Sequence, residues 1–211
     1  MSLRLTCASA IGALGMLFVA GIASGGSGPA PKPVHGAVPW RAPANPLKLA
    51  VAAGLTPQRR ESFVNHVHAH LDIFVNGRAV RVPAGIGINI HDPAVKVFAV
   101  PDGSKAYGGI RLCKAACISP LHTHDDSGVI HTESSSTAFN RLGQFFIEWG
   151  VTLTPTCVGG YCRLATTHVY VDGKPFSGDP RKIVLNDRKE IAIVIGTPPK
   201  KIPSKGDFST A

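Results

Sequence analysis

The chain has 211 residues, 44% of them hydrophobic, and a formal net charge of +9. One domain is the default at that length. The positive charge, carried in part by Arg59, Arg60, Lys200, Lys201 and Lys205, comes without an aromatic-plus-basic stacking pattern. A solvated basic surface is therefore expected, and a nucleic-acid site is not.

Arg4 precedes an apolar run from Ile11 to Ile22, and Gly21 and Ala23 are small residues at the two positions a signal peptidase reads. Residues 1–23 read as a secretory signal peptide. The run is about 12 residues against the roughly 20 of a membrane span, so an uncleaved segment is the sole membrane attachment to consider. The expected location is secreted, periplasmic or elsewhere in the cell envelope. Removal of residues 1–23 takes away Cys7 and leaves Cys113, Cys117, Cys157 and Cys162, an even set suited to disulfides in an oxidising compartment. Local pairs, 113 with 117 and 157 with 162, are one arrangement, and bridges between the two segments are the other. A four-thiolate zinc site is weaker, because the spacings are not two-residue knuckles.

Residues 24–46, rich in Gly, Pro and Ala, read as a linker that includes His35. The globular domain is expected over 47–198, with a basic flexible tail over 199–211. Thr56 and Pro57 suggest the cap and first turn of a short helix. In 67–75 the odd positions are Val, Ala, Leu, Ile and Val, while His68, His70 and Asp72 fall on even ones. This pattern predicts a half-buried strand with a histidine ladder on one face. Asn76-Gly77 is a hairpin turn, returned by Ala79–Val82 and ended by Pro83. Short strands are expected over 85–91 and 94–100, with a turn at 101–104. Phe139, Leu142, Phe145, Phe146 and Trp149 keep helical spacing, which predicts one main helix over about 137–149, stopped by Gly150, with its aromatic residues in the core. Val169–Lys174 repeats the pattern of Ile73–Arg78, a second hairpin of the same design. Ile183–Leu185, Asn186-Asp187 and Glu190–Ile195 suggest another. The expected class is α+β, a mostly antiparallel sheet of β-hairpins with the helix packed on it. A β-sandwich carrying one helix is the alternative.

Chemistry concentrates in 121–133, where His122, His124, His131, Asp125, Asp126 and Glu133 fall within thirteen residues. His122 and His124 share one side of an extended segment, roughly 7 Å apart along it. Asp125–Gly128 reads as a turn, and His131 and Glu133 share a face of the returning strand. A solvent-facing hairpin is the bland reading of either cluster alone. Two clusters together point to a transition metal, zinc or copper, bound by imidazole. The candidate ligands are His68, His70, His122, His124 and His131, from two clusters expected to converge. Asp72, Asp125, Asp126 and Glu133 are candidate hydrogen-bond acceptors that fix the ring tautomers, and Glu133 is also a candidate general base. His66, His91 and His168 are weaker candidates.

His68-Ala69-His70 and Leu121-His122-Thr123-His124 echo motifs of amidohydrolase and phosphoesterase barrels, but this chain is too short and too rich in hairpins for such a barrel. A cupin would place a glutamate where Gly128 stands, and the Cys-His-Met run of a blue-copper site is absent. Five ordered stretches do carry a resemblance: His68-x-His70-Leu71-x-Ile73-x-Val75-Asn76-Gly77, Val82-Pro83-Ala84-x-Ile86-Gly87-Ile88, Leu121–Asp125, Gly128-Val129-Ile130-His131-x-Glu133-Ser134 and Leu142-Gly143-Gln144-Phe145-Phe146-x-x-Trp149-Gly150. Together, over about residues 65–196, they are similar to a family of uncharacterised exported bacterial proteins. The resemblance implies that the five motifs belong to one domain. Three functions remain open: an exported protein that buffers, senses or delivers copper or zinc, alone or to an envelope partner protein; a metal-dependent envelope hydrolase or oxidoreductase; and a structural or interaction module without metal.

Overall fold

The computed structural model describes residues 40–162 and 167–211. The signal segment, and the expected linker as far as residue 39, lie outside the described residues. The elements in order are α1 (Pro46–Ala52), β1 (Asn65–Val75), β2 (Arg78–Val80), β3 (Lys96–Ala99), β4 (Lys105–Gly108), β5 (Leu121–His122), β6 (Val129–Ser134), α2 (Leu142–Trp149), β7 (Leu153–Thr154), β8 (Cys157–Val158), β9 (Tyr161–Cys162), β10 (Thr167–Val171), β11 (Lys174–Phe176) and β12 (Lys189–Ile195). The class is α+β. The main sheet runs β11-β10-β12-β1-β6-β5, with β2 also paired to β1. Its ladders are antiparallel except for β1 with β12.

Period-two patterning gives β1 two different faces. Ala69, Leu71 and Ile73 join Ile130, Ile191 and Ile193 in one core with Phe145, Phe146 and Trp149 of α2. The other face carries the imidazoles. Both turns of the repeated hairpin design have the expected left-handed pairs, Asn76-Gly77 and Asp172-Gly173. The local disulfides, Cys113–Cys117 and Cys157–Cys162, are the ones formed.

Several expectations need correction. The main helix starts at Leu142, not near 137, because the backbone of residues 140–142 is engaged elsewhere: Leu142 donates to Ile183, and Leu185 to Asn140. Phe139 therefore stands outside the helix and is 57% exposed. Those same bonds take Ile183–Leu185 away from the hairpin expected at 183–195, and β12 pairs instead with β1 and β10. No helix forms at 56–61, since Gln58 bridges Ile118. The glycines of 85–91 sit at positive φ, Gly85 at 80° and Gly87 at 74°, and make turns rather than a strand.

Two stretches expected to lie beside the fold contribute to it. Trp40 is 3% exposed, with its ring 5.7 Å from Trp149 and 6.2 Å from Tyr161. Apolar aromatic area is what holds this end of the expected linker down. In the expected tail, the Phe208 ring meets His70 edge-on at 6.0 Å and lies under the Arg188 guanidinium at 5.0 Å. Trp40→Ala is expected to destabilise the protein by about 3–5 kcal/mol in chemical denaturation, whereas Phe139→Ala should change it by less than about 0.5 kcal/mol.

Candidate metal centre

Register builds the site. On β1 and β6, His66 stands opposite Glu133 and His68 opposite His131; on β5 and β6, His122 stands opposite His131. His124, two residues past His122, turns back onto the same face. The two histidine clusters therefore converge. The His131 ring centroid lies 4.6 Å from His68, 4.5 Å from His124 and 5.5 Å from His122.

Backbone carbonyls set the tautomers of His122 and His124. His122 Nδ1 lies 2.9 Å from the Ser119 carbonyl, and His124 Nδ1 bonds the Tyr107 carbonyl. A carbonyl only accepts, so each Nδ1 carries the hydrogen and each neutral ring keeps its lone pair on Nε2. The two Nε2 atoms are 3.2 Å apart. Two lone pairs at that distance repel unless a proton or a cation sits between them.

Glu133 completes the group. Its carboxylate lies 3.4 Å from His131 Nδ1, 3.8 Å from His124 Nε2 and 3.9 Å from His122 Nε2. A tetrahedral ion with bonds of 2.0–2.1 Å has ligand–ligand edges of about 3.3–3.4 Å, close to this set. His131 Nδ1 and Glu133 Oε2 are buried without hydrogen-bond partners, a state that ordinarily costs about 1–3 kcal/mol per group. His122, His124, His131 and Glu133 thus form a buried cluster that can hold a metal ion, each offering an atom within 4.8 Å of the others.

Electrostatics point the same way. Burial, with the neighbouring His124, pushes His122 well below the ordinary imidazole value. Burial also lowers His131. Burial pushes the Glu133 carboxyl up, but the adjacent nitrogens of His124 and His131 and the charge of His122 outweigh it and leave it ionised. Burial lowers His124 less than the Glu133 carboxylate and the Tyr107 carbonyl raise it. His122 and His131 are held neutral beside an ionised carboxylate, the protonation states that ligate metal, while His124 holds its proton more tightly and would release it to an incoming ion.

The other candidates divide. His68, with His66 and Glu133, forms a second group of potential ligands. His70 separates from the pool: its Nδ1 is 2.8 Å from Glu190 Oε2 and its Nε2 is 3.0 Å from the Ser127 carbonyl. His70, Asp72 and Glu190 are a third group of potential ligands, but both nitrogens of His70 already have partners. Asp125 accepts from Ser127 within the turn, and Asp126 pairs with Arg81 at 2.7 Å, so neither orients a histidine. His91 is exposed. His168 stands across Val194 from Phe74, on the ladder's face but at its far end.

Three contributors had no sequence signal. Glu61, before β1, has its carboxyl raised by burial and then by the charge of Glu133, while His124 and His66 pull it down; it is electrostatically part of the centre. Glu190 reaches His70 from 120 positions along the chain. Glu148, wholly buried on α2, has its carboxyl pushed well up by burial and sits beside Ser119, the residue whose carbonyl anchors His122. Glutamates on a helix face, on a distant strand and in a loop have no motif to betray them.

Comparison with family models, with curated proteins and with solved structures returns no match.

His68 gives a pH test. Burial, with His131 and His66 beside it, lowers His68 from 6.5 to about 4. The folded state thus binds fewer protons than the unfolded one between those values, and stability is lost as pH falls through that window. Metal-free wild type should lose about 2 kcal/mol relative to metal-free His68→Gln between pH 6.5 and 4 in urea denaturation. A constant difference across that range would show that His68 is not held neutral.

Proposed function

We infer that the protein binds a divalent transition metal, zinc or copper, through His122, His124, His131 and Glu133, and that it holds, buffers or hands on that ion outside the cytoplasm. One observation carries the reading: two tautomer-locked Nε2 atoms face each other at 3.2 Å beside a buried, incompletely partnered carboxylate. A proton shared between the rings would relieve the pair, but it would leave His131 Nδ1 and Glu133 Oε2 without partners. A dication relieves all four atoms at once.

Four protein donors fill a tetrahedral zinc shell, the arrangement of sites that retain an ion rather than activate water on it. This favours storage or delivery over hydrolysis. Paired cysteines fit an oxidising compartment, and no helix among the described residues is long and apolar enough to cross a membrane. The disulfides accord with export.

Elemental mass spectrometry of untagged protein from its native envelope tests the reading. Stoichiometric zinc or copper is expected. His122→Ala/His124→Ala should lose that ion, with affinity falling by more than the roughly 10–100-fold typical of an outer hydrogen-bond partner. Protein that carries no stoichiometric transition metal, and takes none up after dialysis against micromolar zinc or copper, would refute it.

A further inference from the structure

We propose that a second transition-metal ion binds beside the first, held by His66 and His68, with the Glu133 carboxylate bridging the two. This rests on the metal reading above and extends it to a two-ion centre.

The strand register again supplies the placement. His66 and His68 lie on the same face of β1, with rings 4.7 Å apart. His66 Nε2 is 3.5 Å from Glu133 Oε1. One atom from each of His66, His68 and Glu133 lies within 4.8 Å of the others. Two bonds of 2.0–2.1 Å span at most about 4.2 Å, so a small ring rotation closes the group on one ion.

His68 is the informative member. Its Nε2 is buried without a hydrogen-bond partner. Its Nδ1 lies 4.0 Å from Asp187 Oδ1, and Asp187 also accepts from the His68 backbone N–H at 3.1 Å. Asp187 is thus tied to the His68 backbone and stands near the outer ring nitrogen, beyond hydrogen-bond distance, while the inner nitrogen is open to an ion.

Glu133 has the donors to serve both ions. Oε2 faces His122 at 3.9 Å and lacks a partner, while Oε1 stands between the two groups, 3.4 Å from His131 Nδ1, 3.8 Å from His124 Nε2 and 3.5 Å from His66 Nε2. Among the described residues seven buried side-chain atoms lack a hydrogen bond, and His68 Nε2, His131 Nδ1 and Glu133 Oε2 are three of them. Each of the three belongs to a side chain of one of the two ligand groups. Two dications on one carboxylate and five neutral rings need further anions; Glu61 stands near His124, His66 and Glu133, and Asp187 beside His68. Exchangeable hydroxide would supply the rest.

The full-length protein is stripped with chelator and titrated with Cu²⁺. Bound copper is counted by elemental analysis and unpaired spins by electron paramagnetic resonance. Wild type should bind about two equivalents, and the spin count should fall below the copper count because adjacent bridged ions couple. His66→Ala/His68→Ala should bind about one equivalent with full spin intensity. His66→Gln replaces a residue 43% exposed and guards against loss of fold; it should weaken the second equivalent by at least about 10-fold. One equivalent in both wild type and the double variant overturns the second site and leaves the first. Two equivalents in both, with uncoupled spins, place the second ion elsewhere and also overturn it. No copper in any form overturns both readings.

Discussion

The pairing of β1 with β6 is the constraint on which the site depends. It sets His68 against His131 and His66 against Glu133, while Ala69 meets Ile130 on the reverse face. A one-residue slip would exchange the faces and bury the imidazoles in the aliphatic core. The register is therefore enforced from behind. Leu71, Ile73, Ile130 and Leu121 are all at most 1% exposed, and each fully buried side chain of this size contributes about 1.5–3 kcal/mol. The apolar face holds the polar one in place.

The rings are then aimed by backbone rather than by other side chains. The turn at Gly87 shows how closely the chain must approach: a Cβ there would come within 2.4 Å of the Leu121 carbonyl and 3.0 Å of His122 Cβ. Only glycine tolerates both that proximity and the positive φ. The loop that brings the Ser119 carbonyl to His122 is tied by Cys113–Cys117 and packed on Ile88, Ile110 and Ile118. This small cluster lies apart from the main core, and its position explains why a disulfide so short in sequence matters to the site.

Legibility in the sequence followed the range of the interaction. The strand faces, both Asx-Gly hairpins, the shared face of His131 and Glu133 and the convergence of the two clusters all follow from parity and turn chemistry, which are local. The parallel β1–β12 pair joins segments about 120 residues apart, and no turn signal encodes it; Ile183–Leu185 went to the strand-like stretch at 140–142 for the same reason. Glu133, expected to orient rings or act as a base, stands among the nitrogens instead. That difference lies in the close approach of its carboxylate to three imidazoles, 3.4–3.9 Å, which spacing alone does not give. Phe139 kept helical spacing with Phe146 and Trp149, yet the asparagine and arginine that follow it pair in extended form, and pattern yields to tertiary hydrogen bonds there.

His70 shows why residue type and face do not suffice to define a ligand. It shares β1 and its polar face with His66 and His68, yet Glu190 lies beside it where β12 runs alongside, and both of its ring nitrogens are hydrogen-bonded, to Glu190 and to the Ser127 carbonyl. Burial lowers His70, but the hydrogen bond and charge of Glu190 raise it more; Glu190 in turn is pushed by burial to about 7. The pair holds a proton. Further along the row the neighbours are other imidazoles and one carboxylate, with too few hydrogens to go round. Each orphaned atom there costs about 1–3 kcal/mol, set against a total stability of about 5–15 kcal/mol for a typical domain. A fold that carries such a cost without metal would recover it on binding an ion, and metal affinity and folding stability would then be one quantity. The row of imidazoles is thereby coupled to the sheet that displays it.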